Sequence, residues 1–300
     1  MLKQFYDKQK LPWLSSDDMI QANENALVRC PQNEDTWEEY KTSEYAFFPG
    51  CQLTAAEPEL VIKIYDALRF QLPDTAIFSQ CCGVPAKWEG NDELFQSNTK
   101  EIQRKWEALG KPVLIMSCMT CMKNFQDNFP EITVVSLYEM LLKLNISGGC
   151  NSSDYSYFTF SQDHEKSTEK AVKELADNIG VKLHTIDETE FPMLTHCINC
   201  RDMLKKDGYE SLHILELIFG MSDSNLHLIH EHDHDHGNEE NEAEKDSEIP
   251  TEDCDGDCTS CSSCGGCGSV VSAPLPVLEE RHDNRVQFKE IMEELFWGEF

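Results

Sequence analysis

The chain is 300 residues long and carries 25 Lys and Arg against 55 Asp and Glu, a formal net charge of −30. That balance excludes nucleic acid, whose phosphates are held by Lys and Arg, and disfavours anionic membrane surfaces. Fourteen cysteines, a start at Met1-Leu2-Lys3 without an apolar leader, and no apolar run near the roughly 18 to 20 residues that cross a bilayer set the expectation of a reducing, anaerobic cytoplasm and no direct membrane insertion, rather than a secreted disulfide scaffold.

Residues 1–44 mix polar residues with Trp13 and Trp37 without clear periodicity, and read as an irregular or partly helical lead-in. From Tyr45 short strands alternate with helices. YAFF is a strand that runs into FFPGCQL and Cys51. EPELVIKIYDALRFQL is a helix with Leu60, Ile64, Ala67 and Leu68 on one face, and AIFS is a strand that runs into SQCCGVPAKW with Cys81 and Cys82. A helix from about Asn91 to Leu109, the strand VLIMS, and a helix opening at Cys118 and Cys121 in MSCMTCMKNF follow. TVV and SLYEMLLKL close the unit as strand and helix. Such alternation predicts a parallel sheet covered by helices, with the loops at the carboxyl ends of the strands converging at one edge. Cys51, Cys81, Cys82 and Cys118 each follow a strand directly, so they are expected to meet there. Gly83 and Pro85 let the chain turn tightly behind the paired cysteines.

The next segment repeats the first. YSYFTFSQ, KSTEKAVKELADNIG, VKLHTI, FPMLTHCINCRDMLKK and SLHILELIFG follow the earlier elements in order. The expected class is therefore α/β, two pseudo-symmetric Rossmann-like β-α repeats with parallel sheets over 45–150 and 151–220, packed about a pseudo-twofold axis and followed by a disordered acidic and Cys-rich tail. The copy is eroded. Ser161 stands where Cys51 stands, IDETEF replaces the Cys-Cys-Gly turn and its helix, and only Cys197 and Cys200 remain. Two thiolates cannot hold four irons. The pair is open to three roles: a redox-active dithiol, part of a metal site completed from elsewhere, or a packing relic. His196 beside it is a ligand or an ordinary surface or core histidine.

Beyond Gly220 the composition shifts. Residues 221–253 read as a disordered linker, with Lys245 the only Lys or Arg between Asp223 and Asp257, and LHLIHEHDHDHG places His227, His230, His232, His234 and His236 where nickel, zinc or copper could bind loosely. Residues 254–270 hold Cys254, Cys258, Cys261, Cys264 and Cys267 at spacings suited to a second metal or cluster, or to a redox-sensitive tail. Residues 271–300 end in RVQFKEIMEELFWGEF, an amphipathic helix with Val286, Ile291, Leu295 and Phe296 toward one side, expected to dock on the core or on a partner. Cys30 and Cys150 are isolated, ordinary thiols.

The front five cysteines read C-x29-C-C-G-x34-C-x2-C. Thiolates are the ligands soft iron requires, and five drawn from separate loops suit an iron–sulfur cluster; a zinc site or buried unligated thiols are the alternatives. The pattern resembles the CCG domain of the heterodisulfide reductase B subunit family over roughly residues 45–220. That resemblance implies a non-cubane 4Fe–4S cluster on Cys51, Cys81, Cys82, Cys118 and Cys121. It also implies an oxidoreductase component in a hetero-oligomer, relaying electrons between a flavoprotein or ferredoxin-type subunit and a disulfide or other acceptor. Relatives of that family serve as iron–sulfur subunits of glycolate, lactate or succinate oxidoreductases. With one intact motif, a purely electron-transferring subunit and a cluster-linked dithiol reductase are both open. A metal-handling protein working through its His-rich and Cys-rich tail is the alternative of a different class. No P-loop, dinucleotide glycine fingerprint or serine elbow is present, so flavin or nicotinamide chemistry is expected from another chain.

Overall fold

Short runs of three or four residues become the strands of two sheets, the central ones of the first sheet largely apolar. The computed structural model describes residues 15–30, 42–148, 153–159, 166–186, 191–220 and 278–297. Leu27–Arg29 (β1), Tyr45–Phe48 (β2), Ala76–Ser79 (β3), Val113–Met116 (β4) and Val134–Ser136 (β5) form one sheet in the order β1-β3-β2-β4-β5. Strands β2 to β5 run parallel, and β1 closes the edge antiparallel to β3 with Leu27 opposite Ser79. Asp154–Tyr157 (β6), Lys182–His184 (β7), Met193–Thr195 (β8) and Ser211–His213 (β9) form a second, all-parallel sheet in the order β7-β6-β8-β9. The fold is α/β with predominantly parallel sheets, and the succession β3-β2-β4-β5 in the first sheet has the same order as β7-β6-β8-β9 in the second.

The helices are Ser16–Glu24 (α1), Cys51–Ala56 (α2), Pro58–Gln71 (α3), Val84–Glu89 (α4), Asp92–Ala108 (α5), Met119–Asn128 (α6), Leu137–Lys143 (α7), Lys166–Asn178 (α8), Ile198–Lys206 (α9), Ile214–Phe219 (α10) and Leu278–Trp297 (α11). The strands of the first sheet are apolar on both faces, as parallel strands covered on both sides must be. Phe47, Ile77 and Ile115 face a core that also takes in Tyr155, Leu194, Leu212, Leu175 and Phe288, so the two sheets share one interior. Phe48, Phe78, Leu114 and Met116 face a second core under Ile102, Trp106 and Phe125. All the described residues lie in one compact unit; the other, Ser222–Ser269, lies outside them. The His-rich and Cys-rich features expected there, with Cys150, Ser161, Trp13 and Trp37, are likewise outside the described residues. Among the described residues no helix is long and apolar enough to cross a membrane.

Two elements depart from expectation. The lead-in, read as irregular or partly helical, holds the helix α1 and also an edge strand, β1, that was not expected. Helix α1 has Ser15 as a side-chain cap accepting from the Asp18 amide, but only Met19 and Ala22 among its apolar residues are buried, too few to show as a periodic stripe. The C-terminal helix folds back onto the core, and its innermost positions are Arg281, Arg285, Phe288 and Met292, with Val286 and Ile291 only half-buried. The two arginines pair with Asp202 and with Asp18, the latter at 2.9 Å, so charge satisfied across the chain sets the inward face. Asn284 donates from Nδ2 to the Ala55 carbonyl at 2.8 Å, one of the last carbonyls of α2. Asn284→Ala is expected to cost about 1 kcal/mol in urea unfolding, the worth of one partly buried hydrogen bond.

Candidate metal centre

The five front cysteines sit where strands β2, β3 and β4 end. Cys51 opens α2 behind Gly50, whose φ of +80° lies in the left-handed region that favours glycine. A Cβ there would stand 3.4 Å from the Cys118 Cβ and 3.6 Å from the Cys121 Sγ, so the two loops touch at this residue. Ser117 ties them further by donating from Oγ to the Pro49 carbonyl at 2.6 Å. Gly83 caps α4 at φ +93°, and a Cβ there would meet Asn98 Nδ2 at 2.7 Å.

Three asparagines that the motif does not contain hold the Cys-Cys backbone. Asn23 Oδ1 accepts from the Cys81 amide at 3.1 Å, Asn98 Nδ2 donates to the Cys81 carbonyl at 3.2 Å, and Asn124 Nδ2 donates to the Cys82 carbonyl at 2.9 Å. Asn98 also accepts from Gln80 and Asn23. A signal for them exists in the sequence: Asn98 shares the buried stripe of α5 with Phe95, Ile102 and Trp106, and Asn124 sits between Cys121 and Phe125 on α6. A carboxamide at a core register must find partners, because burying it unpaired costs several kcal/mol.

The sulfurs form one hydrogen-bonded run. The Cys51 thiol donates to Cys81 at 3.5 Å; Cys82 accepts from Cys81 and Cys121, and Cys118 accepts from Cys121. Donors are pushed up and acceptors down. Cys51 is raised by its bond to Cys81 and by burial, and Cys121 by its bonds to Cys118 and Cys82. Cys82 is brought down to about 6 by the bonds from Cys121 and Cys81, and Cys118 is lowered by Cys121 and by the amides at the start of α6. All five line a cavity of about 60 Å³ together with Pro49, Leu53, Val84, Trp88 and Met119, and no Asp, Glu, Lys or Arg lines it.

The far wall of the same cavity comes from the second sheet: His196 and Cys197 follow β8, and His213 ends β9. Cys197 caps α9 and its Sγ accepts from the Cys200 amide at 3.4 Å, while Cys200 is buried behind it. Tyr157 lies 2.8 Å from His196 Nδ1, and Tyr138 donates to the His196 carbonyl at 2.9 Å. Burial pushes His196 down to about 4 and His213 well below the usual imidazole range, so both rings are neutral at pH 7.

Behind Cys51 runs a buried polar frame. Gln52 donates from Nε2 to Asp18 at 2.9 Å, and Asp18 accepts from Arg285 at 2.9 Å, which makes the C-terminal helix part of the support under the Cys51 loop. Arg285 is a cation that favours the Cys51 thiolate.

The donor set fits an iron–sulfur group. Five soft sulfurs on one mostly apolar cavity, with no Asp, Glu, Lys or Arg lining it, can shed their protons together only if cations take their place. Among the described residues no three or more His, Cys, Asp or Glu side chains converge as a cage for a single ion; the thiols line a wall instead. None of the eight described cysteines is disulfide-bonded, and Cys30, away from the cavity, accepts from Ser43 Oγ at 3.3 Å.

Residues 45–126 match the family model of the cysteine-rich domain designated CCG. The chain carries that domain over the span that holds all five thiols, and the domain is of a kind found in iron–sulfur redox proteins. No curated protein and no solved structure matches the chain.

Proposed function

We propose that this chain is an iron–sulfur oxidoreductase component of the heterodisulfide reductase B type, with Cys51, Cys81, Cys82, Cys118 and Cys121 holding one 4Fe–4S cluster. The observation that carries the proposal is the continuous run of five sulfurs around a single cavity within the matched domain. Bound there, the cluster supplies one-electron transfer. The protein's own residues do the rest. Asn23, Asn98 and Asn124 fix the Cys-Cys peptide groups, Gly50 and Gly83 allow close approach of the loops, and Leu53, Val84, Trp88 and Met119 keep the site apolar. A ferredoxin-type or flavoprotein subunit is the proposed electron donor, a disulfide or another acceptor the proposed target, and a reducing cytoplasm the setting. The cysteines at 254–267 and histidines at 230–236 are proposed as a second, separable metal site.

The test is iron, sulfide and zinc per chain after anaerobic purification, for the full chain and for a chain lacking residues 221–270. About four irons are expected in both. Zinc alone, or iron only when the tail is present, would overturn the proposal in favour of a metal-handling protein.

A further inference from the structure

The second repeat contributes to the cavity although it lacks a cluster motif. Cys197 is half-buried on the cavity wall, flanked by His196 and His213. Its Sγ is held at the start of a nine-residue helix by the Cys200 amide at 3.4 Å, an arrangement that favours the thiolate. Cys200, one turn on, is 1% exposed and shielded from direct encounter with a ligand. A half-buried first thiol on the cavity wall and a buried second one behind it, spaced to reach each other, divide the roles of attacking and resolving thiol. A packing relic would not need to place Cys197 on the wall of a ligand-sized space.

We propose that Cys197 and Cys200 form a redox-active dithiol that reduces a small, uncharged disulfide admitted to this cavity. The lining has no Lys or Arg to pair with an anionic substituent, and the thiolates of the cavity repel one, which sets the preference for an uncharged molecule over an anionic one. The Cys197 thiolate attacks one sulfur of the substrate disulfide; that S–S bond breaks, a mixed disulfide forms on Cys197, and the first substrate thiolate leaves with the proton Cys197 gave up. The Cys200 sulfur then attacks the Cys197 Sγ, the mixed disulfide breaks, and the second substrate thiol leaves with the Cys200 proton. One substrate disulfide becomes two thiols and the dithiol becomes a disulfide. The pair is reset by two electrons, from two reduced ferredoxins or one reduced flavoprotein, and by two protons from solvent. Only this resetting step rests on the redox role proposed above.

The test uses the full chain, hydroxyethyl disulfide as the uncharged probe, alkylation of remaining thiols, and peptide mass mapping, with iron measured in the same samples. Wild type is expected to accumulate the Cys197–Cys200 disulfide with release of two probe thiols. Cys200→Ser is expected to trap the probe on Cys197, and Cys197→Ser to lower probe capture at this pair by at least about tenfold. Charged glutathione disulfide is expected to react more slowly. No Cys197–Cys200 disulfide in wild type and no adduct on Cys197 in Cys200→Ser would overturn the proposal, as would loss of iron in Cys197→Ser, which would make Cys197 a ligand. Disulfide formation in a chain without iron would sustain the dithiol and sink the cluster assignment instead.

Discussion

Cys81→Ser is expected to lose the iron. Cys81 occupies the middle of the sulfur run, accepting from Cys51 and donating to Cys82. Its peptide groups are pinned by Asn23 and Asn98, so serine would stand in the same place with a harder, poorly ionised oxygen. Iron per chain should fall from about four to below about one. The substitution is nearly isosteric, so stability should change by no more than about 1 kcal/mol apart from the contribution of the bound group. Cys30→Ser, away from the cavity, is the matched control and should leave the iron content unchanged. Full iron retention in Cys81→Ser would show that the remaining sulfurs suffice and that Cys81 is not a ligand.

Arg201→Met is expected to be the most destabilising single change outside the cysteines, by roughly 3 to 5 kcal/mol. Arg201 is 1% exposed and pairs with Glu57 at 2.6 Å, Glu216 at 2.8 Å and Asp202 at 3.0 Å. Glu57 belongs to the first half, directly after α2, and the other two to the second, so one guanidinium joins the halves; Asp202 also binds Arg281 of the C-terminal helix. Removing it strands buried carboxylates. Burial already holds Glu57 above the usual carboxylate range despite the arginine, and without that cation it would rise further. A carboxyl whose folded pKa exceeds its unfolded value binds protons more tightly when folded, so folding is favoured as pH falls. The deficit of Arg201→Met relative to wild type should therefore be largest near pH 8 and shrink toward pH 5. Urea midpoints at the two pH values check this; a deficit that does not change with pH would show that lost packing, not stranded charge, is the cause.

The parts of the fold legible in the sequence are those where one local signal suffices. YAFF and AIFS become β2 and β3 as read, because four-residue apolar runs bounded by turns have few alternatives, and Cys118 and Cys197 cap the helices expected to open at them. Convergence of the cysteines was legible for the same reason, since each follows a strand of one parallel sheet. Helices α2 and α4 were not legible: at six residues each, following a glycine with positive φ, they are too short for periodicity to register. Nor was the inward face of α11. Nothing local marks Arg281 and Arg285 as inward-facing, because their partners Asp202 and Asp18 lie 79 and 267 positions away, while Val286 and Ile291, on the face that hydrophobicity selects, are only half-buried. The asparagines around the Cys-Cys pair carry a usable signal that the cysteine motif outshone, because the motif names ligands and is silent about what orients them.

The most direct test of the central claim is the EPR spectrum of the anaerobically purified full chain, recorded oxidised and reduced beside Cys81→Ser. A paramagnetic iron–sulfur signal that comes and goes with one electron per chain, and is missing from the serine variant, is the predicted result. A wild-type protein that is silent in both states and loaded with zinc would contradict it.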